Sequence, residues 1–290
     1  MQRIIRKTIT RLSFFYNNIE NYWHGDRNHR LLGTLIFFIF LISLALIHLN
    51  RMGLIHSYLT EYIPTNYFAA IVISFWILLI FEIFSLIFVL PGSVSSSMIK
   101  QFEIFSLILL RDVFKSIEKF SEVEIWSNLI SHFYPMLFDA AGALLIFIGI
   151  YHIKKLQLHK SITSNQDKQN QFIEIKKVLS LLLILIFVGL IGYDAFLFIN
   201  QSDVFHLFTL FYSVMIFFDV MIVLISLRYN LSYMVLFRYS AFTIATILLR
   251  ISLTAPAMYK ALIGVASVAF VYLLTMYYSK YMRDFQTTKS

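Results

Sequence analysis

The sequence contains no cysteine, and only 14% of its residues are charged. The missing thiols exclude disulfides, thiolate metal centres and cysteine nucleophiles. The shortage of charge excludes an ordinary soluble surface, because globular proteins carry about 25% charged residues. Catalytic signatures are missing as well: there is no GxSxG elbow, Walker loop, dinucleotide fingerprint or HExxH pair. The segment from His24 to His29 sets its two histidines five positions apart, on different faces of a helix, so it does not read as a metal site. The chain therefore reads as a non-enzyme with no catalytic residue, cofactor or metal. Residues 1–30 also lack the layout of a cleaved signal peptide, since basic residues recur through Arg30 and no short apolar stretch ends in small residues.

What the sequence has in excess is apolar length. Hydrophobic residues make up 59% of it, with 30 Phe and 17 Tyr, and the mean hydropathy is +0.75. A bilayer core of about 30 Å is crossed by about 20 helical residues, and runs such as 31–48 and 178–199 reach that length. Apolar segments fall at about 31–50, 67–90, 96–114, 133–153, 177–199, 205–227, 234–253 and 258–279. They are continuously apolar rather than alternating, which favours helices over barrel strands. The third and seventh are the weakest, because Lys100, Glu103 and Arg238 sit near or inside their starts.

The expected fold is an all-α integral membrane protein of eight transmembrane helices, arranged as two parallel four-helix repeats, with an N-terminal amphipathic helix. Its divisions are 1–30, an amphipathic cytoplasmic segment; 31–155, the first repeat; 156–176, a polar cytoplasmic linker; 177–283, the second repeat; and 284–290, a tail. With both termini cytoplasmic, 18 basic residues fall on the inner side and 4 on the outer, as the positive-inside rule requires. The net charge of +8 thus reflects topology, and no nucleic-acid partner is expected. In residues 1–23, Ile4, Ile5, Ile9, Leu12, Phe15 and Tyr16 share one helical face opposite Arg3, Lys7 and Arg11. That pattern suits a helix lying on an anionic leaflet.

Charges inside the apolar segments repeat in order. Glu82, within Ile80–Phe84, precedes Arg111 by 29 positions, and Asp219, within Phe217–Met221, precedes Arg250 by 31. Each arginine ends a Leu-Leu-Arg triplet. An ionised side chain within a bilayer costs roughly 2.5–3.5 kcal/mol even on lenient scales. The recurrence therefore points both to a duplication and to functional candidates.

In the second half, Phe218-Asp219, Phe237-Arg238-Tyr239 and Arg250 twelve positions after Arg238 resemble the phosphate-starvation-inducible PsiE family of small bacterial membrane proteins. The resemblance covers about 177–283. A diverged copy at 31–155 keeps Phe81-Glu82 and Leu110-Arg111, but Lys100 stands eleven residues before Arg111 and the aromatic-basic-aromatic step is missing. The resemblance implies four-span units and a bacterial inner (plasma) membrane location, without a settled activity.

Depth at 1.5 Å per helical residue sorts the candidates Glu82, Arg111, Asp139, Asp194, Asp219, Arg238 and Arg250 into two layers. The expected outer pairs are Arg111 with Asp139 and Arg250 with Asp194. The expected inner pairs are Glu82 with Lys100 and Asp219 with Arg238. Such pairs either fix helix register or line a path for a small ion or proton. A channel or transporter is the leading expectation; the competing class is a non-transporting accessory or stress-response protein that acts through partners. Candidate partners are anionic lipid at the N-terminal helix, a second copy of the chain, or another membrane protein. His48, His56, His132 and His206 fall near the expected outer surface, where interfacial histidines are common.

Overall fold

The computed structural model describes residues 2–23, 25–54, 60, 63–118, 129–156, 166–199, 207–229 and 233–287. These form nine long helices, with no strand among the described residues: α1 (Gln2–Trp23), α2 (Asp26–Arg51), α3 (Ala69–Val89), α4 (Val94–Glu118), α5 (Leu129–Leu156), α6 (Gln166–Ile199), α7 (Leu207–Tyr229), α8 (Tyr233–Thr254) and α9 (Ala257–Thr287). An all-helical chain follows from its composition, because only helices and closed barrels satisfy every backbone group in hydrocarbon. Their ends are set by short polar sequences. Gly53 adopts a positive φ of 70° beyond α2, a conformation that costs glycine little, and the Ser93 hydroxyl accepts from the Ser96 backbone N–H at 3.0 Å to cap α4.

Seven helices, α2, α3 and α5 to α9, are long and apolar enough to cross a membrane. The third of the eight expected spans, α4, is not among them. Lys100, Glu103, Arg111, Asp112 and Lys115 interrupt it and leave no long apolar window. Other helices shelter it instead, for it packs against α3, α5, α8 and α9. Ile104 and Ile108 enter a core shared with α3, α6, α7 and α8. Met98, Phe102, Phe105 and Leu109 enter a second core with α5, α8 and α9. A charged helix thus stands where the two cores meet.

Consecutive helices pack in order within each half, and the halves join through α5 on α9, α4 beside α8 and α3 beside α6. The halves are not equivalent. α6 contacts α1, α3 and α7, whereas α2 rests chiefly on α3 and stays largely exposed. Small residues bring α5 and α9 together: a Cβ added at Gly142 falls 2.8 Å from the Ala261 Cβ, and one at Gly149 collides with Val268. Gly264 likewise meets the Phe105 ring of α4. In hydrocarbon, where apolar burial between helices drives little, such close approach supplies the packing.

α1 is more than a surface helix. Tyr16 is fully buried and donates to the Phe88 carbonyl at 2.8 Å. Trp23 stacks on Phe81 and donates to the Ser85 hydroxyl at 3.3 Å, while Lys177 donates to Asn17 at 2.7 Å. Burial beside Glu20 pushes the Tyr16 phenol well above its ordinary pKa, so it stays a neutral donor. The expected apolar face is therefore split: Tyr16 turns into the bundle, and Leu12 and Phe15 remain exposed. The expected linker is shorter too, since α6 begins at Gln166 and runs on unbroken into its apolar part. Lys176 there is buried and bonds the Gly92 carbonyl in the α3–α4 turn. Residues 157–165, the rest of the linker, lie outside the described residues, as do His56, His206 and residues 230–232.

Candidate functional site

Polar groups converge on α4 at three levels. At the α1 end, Lys100 lies 2.5 Å from Glu82 of α3 and 3.3 Å from Glu103 one turn on. Glu103 in turn accepts from Lys154 of α5 at 2.7 Å. Three helices are tied by alternating charges, and because the groups are partly exposed each link adds only a modest amount.

At the middle level, Gln101 stands between an acid and a base. Arg250 of α8 donates through Nη2 to the Gln101 Oε1 at 3.3 Å. The Gln101 amide and the Thr246 hydroxyl lie within reach of the Asp219 carboxylate of α7, which leaves Oδ2 with no hydrogen-bond partner. Thr246 also bonds its own helix at Phe242 O, 3.1 Å away. The Arg250 guanidinium lies 4.4 Å over the Tyr212 ring. Arg250 Nε and the Tyr212 hydroxyl are buried and unpartnered. Native interiors leave few such atoms without a protein or water partner, and three fall together in this cluster. Two cavities flank Gln101. One of about 20 Å³ is lined by Asp219, Ser97, Thr243 and Thr246; the other, of about 10 Å³, is lined by Arg250, Tyr212 and Gln101. Each admits about one water-sized particle.

At the far end, Asp112 accepts from Arg111 at 2.9 Å and from Lys260 of α9 at 2.6 Å. Asp139 of α5, only 2% exposed, lies in the electrostatic range of Lys260 and Asp112, and its Oδ1 has no hydrogen-bond partner.

Of the expected pairs, Glu82 and Lys100 are together. The others are rearranged. Arg111 takes its own neighbour Asp112 rather than Asp139. Arg250 is turned toward Asp219 through Gln101 rather than toward Asp194, whose Oδ1 is buried without a hydrogen-bond partner. Arg238 leaves Asp219 and donates to Ser95 at 3.0 Å, with its guanidinium 4.9 Å from the Tyr278 ring. Reading the sequence for lone charges missed Gln101 and Tyr212, which are neutral. It also missed Asp112, overshadowed by Arg111, and Lys260, counted only among the outer-side basic residues. The Leu-Leu-Arg-Asp order at 109–112 was the available signal for Asp112. Among the described residues no group of His, Asp and Glu is arranged to hold a metal ion.

Seven long apolar helices, four of them packed against a charged one, define a polytopic helical membrane protein. Comparison with protein-family models, with curated proteins and with solved structures finds no match.

Proposed function

We propose that the chain is a channel or transporter of the bacterial inner membrane that moves a small ion or proton along α4, between two PsiE-like halves. One observation carries the reading: the polar levels stack along a single sheltered helix, and the middle one holds an acid, Asp219, that lines a cavity and keeps one oxygen without a hydrogen-bond partner. Leaving a buried acceptor oxygen without a partner costs about 1–3 kcal/mol, which holding helices together does not require. Cavities this small suit single waters or protons, with passage requiring a conformational step.

In the same proposal α4 crosses with its neighbours, giving eight crossings and both termini in the cytoplasm. The α1 end, rich in basic residues, then faces inward. The exposed Leu12, Phe15 and Tyr22 beside Arg11 fit a leaflet of anionic lipid.

The test is flux in liposomes containing the purified chain and a pH-sensitive dye. A pH or ion gradient should dissipate with the wild type and not with Asp219→Asn, while the variant remains monodisperse and helical. Absence of flux under every gradient tried would overturn the proposal.

A further inference from the structure

The cations at the three levels of α4 have acids at hand. Lys100 and Lys154 share Glu103, Arg111 and Lys260 share Asp112, and Arg250 is turned toward Asp219 through Gln101. Arg238 of α8 does not fit this pattern. Among the described residues no carboxylate stands within ion-pair distance of its guanidinium, and Glu103, at the same end of the bundle, is already taken.

Arg238 is nevertheless held in place. Its guanidinium carbon lies over the Tyr278 and Phe242 rings, 4.9 and 5.6 Å from their centroids, and Nη2 donates to the Ser95 hydroxyl at 3.0 Å. These contacts orient the charge without neutralising it. A guanidinium carries five N–H donors, and the Ser95 bond is the one that is taken among the described residues. Ser95 accepts that bond and keeps its own proton to give, whereas Thr275 across the cavity spends its proton on Val271 O at 2.7 Å. The other wall of the cavity is apolar, formed by Leu156, Leu274 and Phe242. Arg238 itself is half-buried, not sealed. Its neighbour Phe237, stacked on Tyr233, and Tyr277 beside Tyr278 are exposed, as aromatic side chains are where hydrocarbon meets headgroups. Lys155 and Lys280, next in sequence to lining residues of the cavity, are exposed at the same end and add positive charge.

We propose that Arg238, steadied by Ser95 and Tyr278, binds the phosphate of an anionic phospholipid in the leaflet at the α1 end. Water hydrates the free donors but leaves the charge unbalanced, and a soluble anion makes no use of the apolar wall. A lipid phosphate supplies one negative charge, oxygens that take two N–H groups of the arginine fork together, and an apolar body for the Leu156, Leu274 and Phe242 side. Basic pockets between membrane helices take phosphorylated headgroups in this way. The site lies among α4, α8 and α9, whereas the lipid contact proposed for α1 lies on a helix packed against α6. It rests on the proposed orientation for the choice of the cytoplasmic leaflet, and binding itself requires no transport.

The experiment uses the full chain in a neutral detergent, titrated with phosphatidylglycerol, with phosphatidylcholine of the same chains, and with sodium phosphate alone. The unfolding temperature reports binding, and native mass spectrometry counts bound lipid. Expected is a saturable rise in stability with phosphatidylglycerol that neither of the other two reproduces. Affinity should fall by about tenfold or more in Arg238→Gln, which loses the charge-assisted hydrogen bonds. Arg11→Gln on α1 should leave the Arg238-dependent binding in place. Should Arg238→Gln not fold, Ser95→Ala, which keeps the charge and removes the hydroxyl, carries the test and should also bind more weakly. Equal responses to the two lipids, or an unchanged response in the variant that carries the test, overturn the site. A response to sodium phosphate equal to that of phosphatidylglycerol overturns the lipid assignment in favour of a soluble anion. Lipid binding without flux sustains the site and removes transport, whereas flux without Arg238-dependent lipid binding does the reverse.

Discussion

Gln101 joins two charges that an apolar core tolerates poorly apart. Its oxygen faces Arg250 and its amide faces Asp219, so one neutral side chain orients both through opposite ends of a dipole. Replacing it with Leu should destabilise the protein by about 1–3 kcal/mol, the usual cost of stranding buried polar partners. Chemical unfolding in detergent measures that loss. Introduced into Asp219→Asn/Arg250→Gln, the same change should cost clearly less, and equal costs in both backgrounds would show that Gln101 serves packing alone. This arrangement was hidden in the sequence because a search for charges passes over an amide. The Arg111 pairing was misread for a different reason. Depth along a helix selected Asp139, and adjacent residues on a helix do not ordinarily face each other. The long arginine side chain nevertheless turns back to Asp112 at 2.9 Å, and only the folded neighbourhood shows that this is the available acid.

Between helices, closeness depends on missing side-chain volume. Gly149 faces Val268 with no room for a Cβ, whereas Gly189 on α6 has nothing within 4 Å. Gly149→Val should therefore cost about 1–3 kcal/mol by overpacking, and Gly189→Val should stay within about 0.5 kcal/mol as a surface change. A comparison of unfolding midpoints separates them; equal effects would mean that α5 and α9 do not meet as described. Both glycines lie in long apolar helices, so the sequence does not tell them apart. At α4 the element was legible as a helix with weak hydrophobicity. Its place at the meeting of two cores was not, because shelter is supplied by helices distant in the chain.

For the molecule as a whole, the number of crossings decides where the ends lie. Seven crossings put the termini on opposite sides, and the proposed passage of α4 puts them together. The absence of native cysteine makes single-cysteine labelling clean. Tyr22→Cys on α1 and Lys280→Cys on α9, both at exposed positions, should react from the same face of sealed vesicles. Tyr259→Cys, exposed at the other end of α9, should react from the opposite face. Labelling of Tyr22→Cys and Lys280→Cys from different faces would remove α4 from the count of crossings.

By itself the sequence determined the helical class of this protein and the seven segments long and apolar enough to cross a membrane. These follow from composition and run length, which are local properties read against the fixed thickness of a bilayer. It also marked the rare charges, since their cost in hydrocarbon does not depend on their partners. Which acid meets which base, which glycine admits a neighbouring helix, and which face of α1 enters the bundle were decided only by tertiary structure. Those outcomes depend on the rotation and approach of helices far apart in sequence, and the periodicity within any one helix does not encode them.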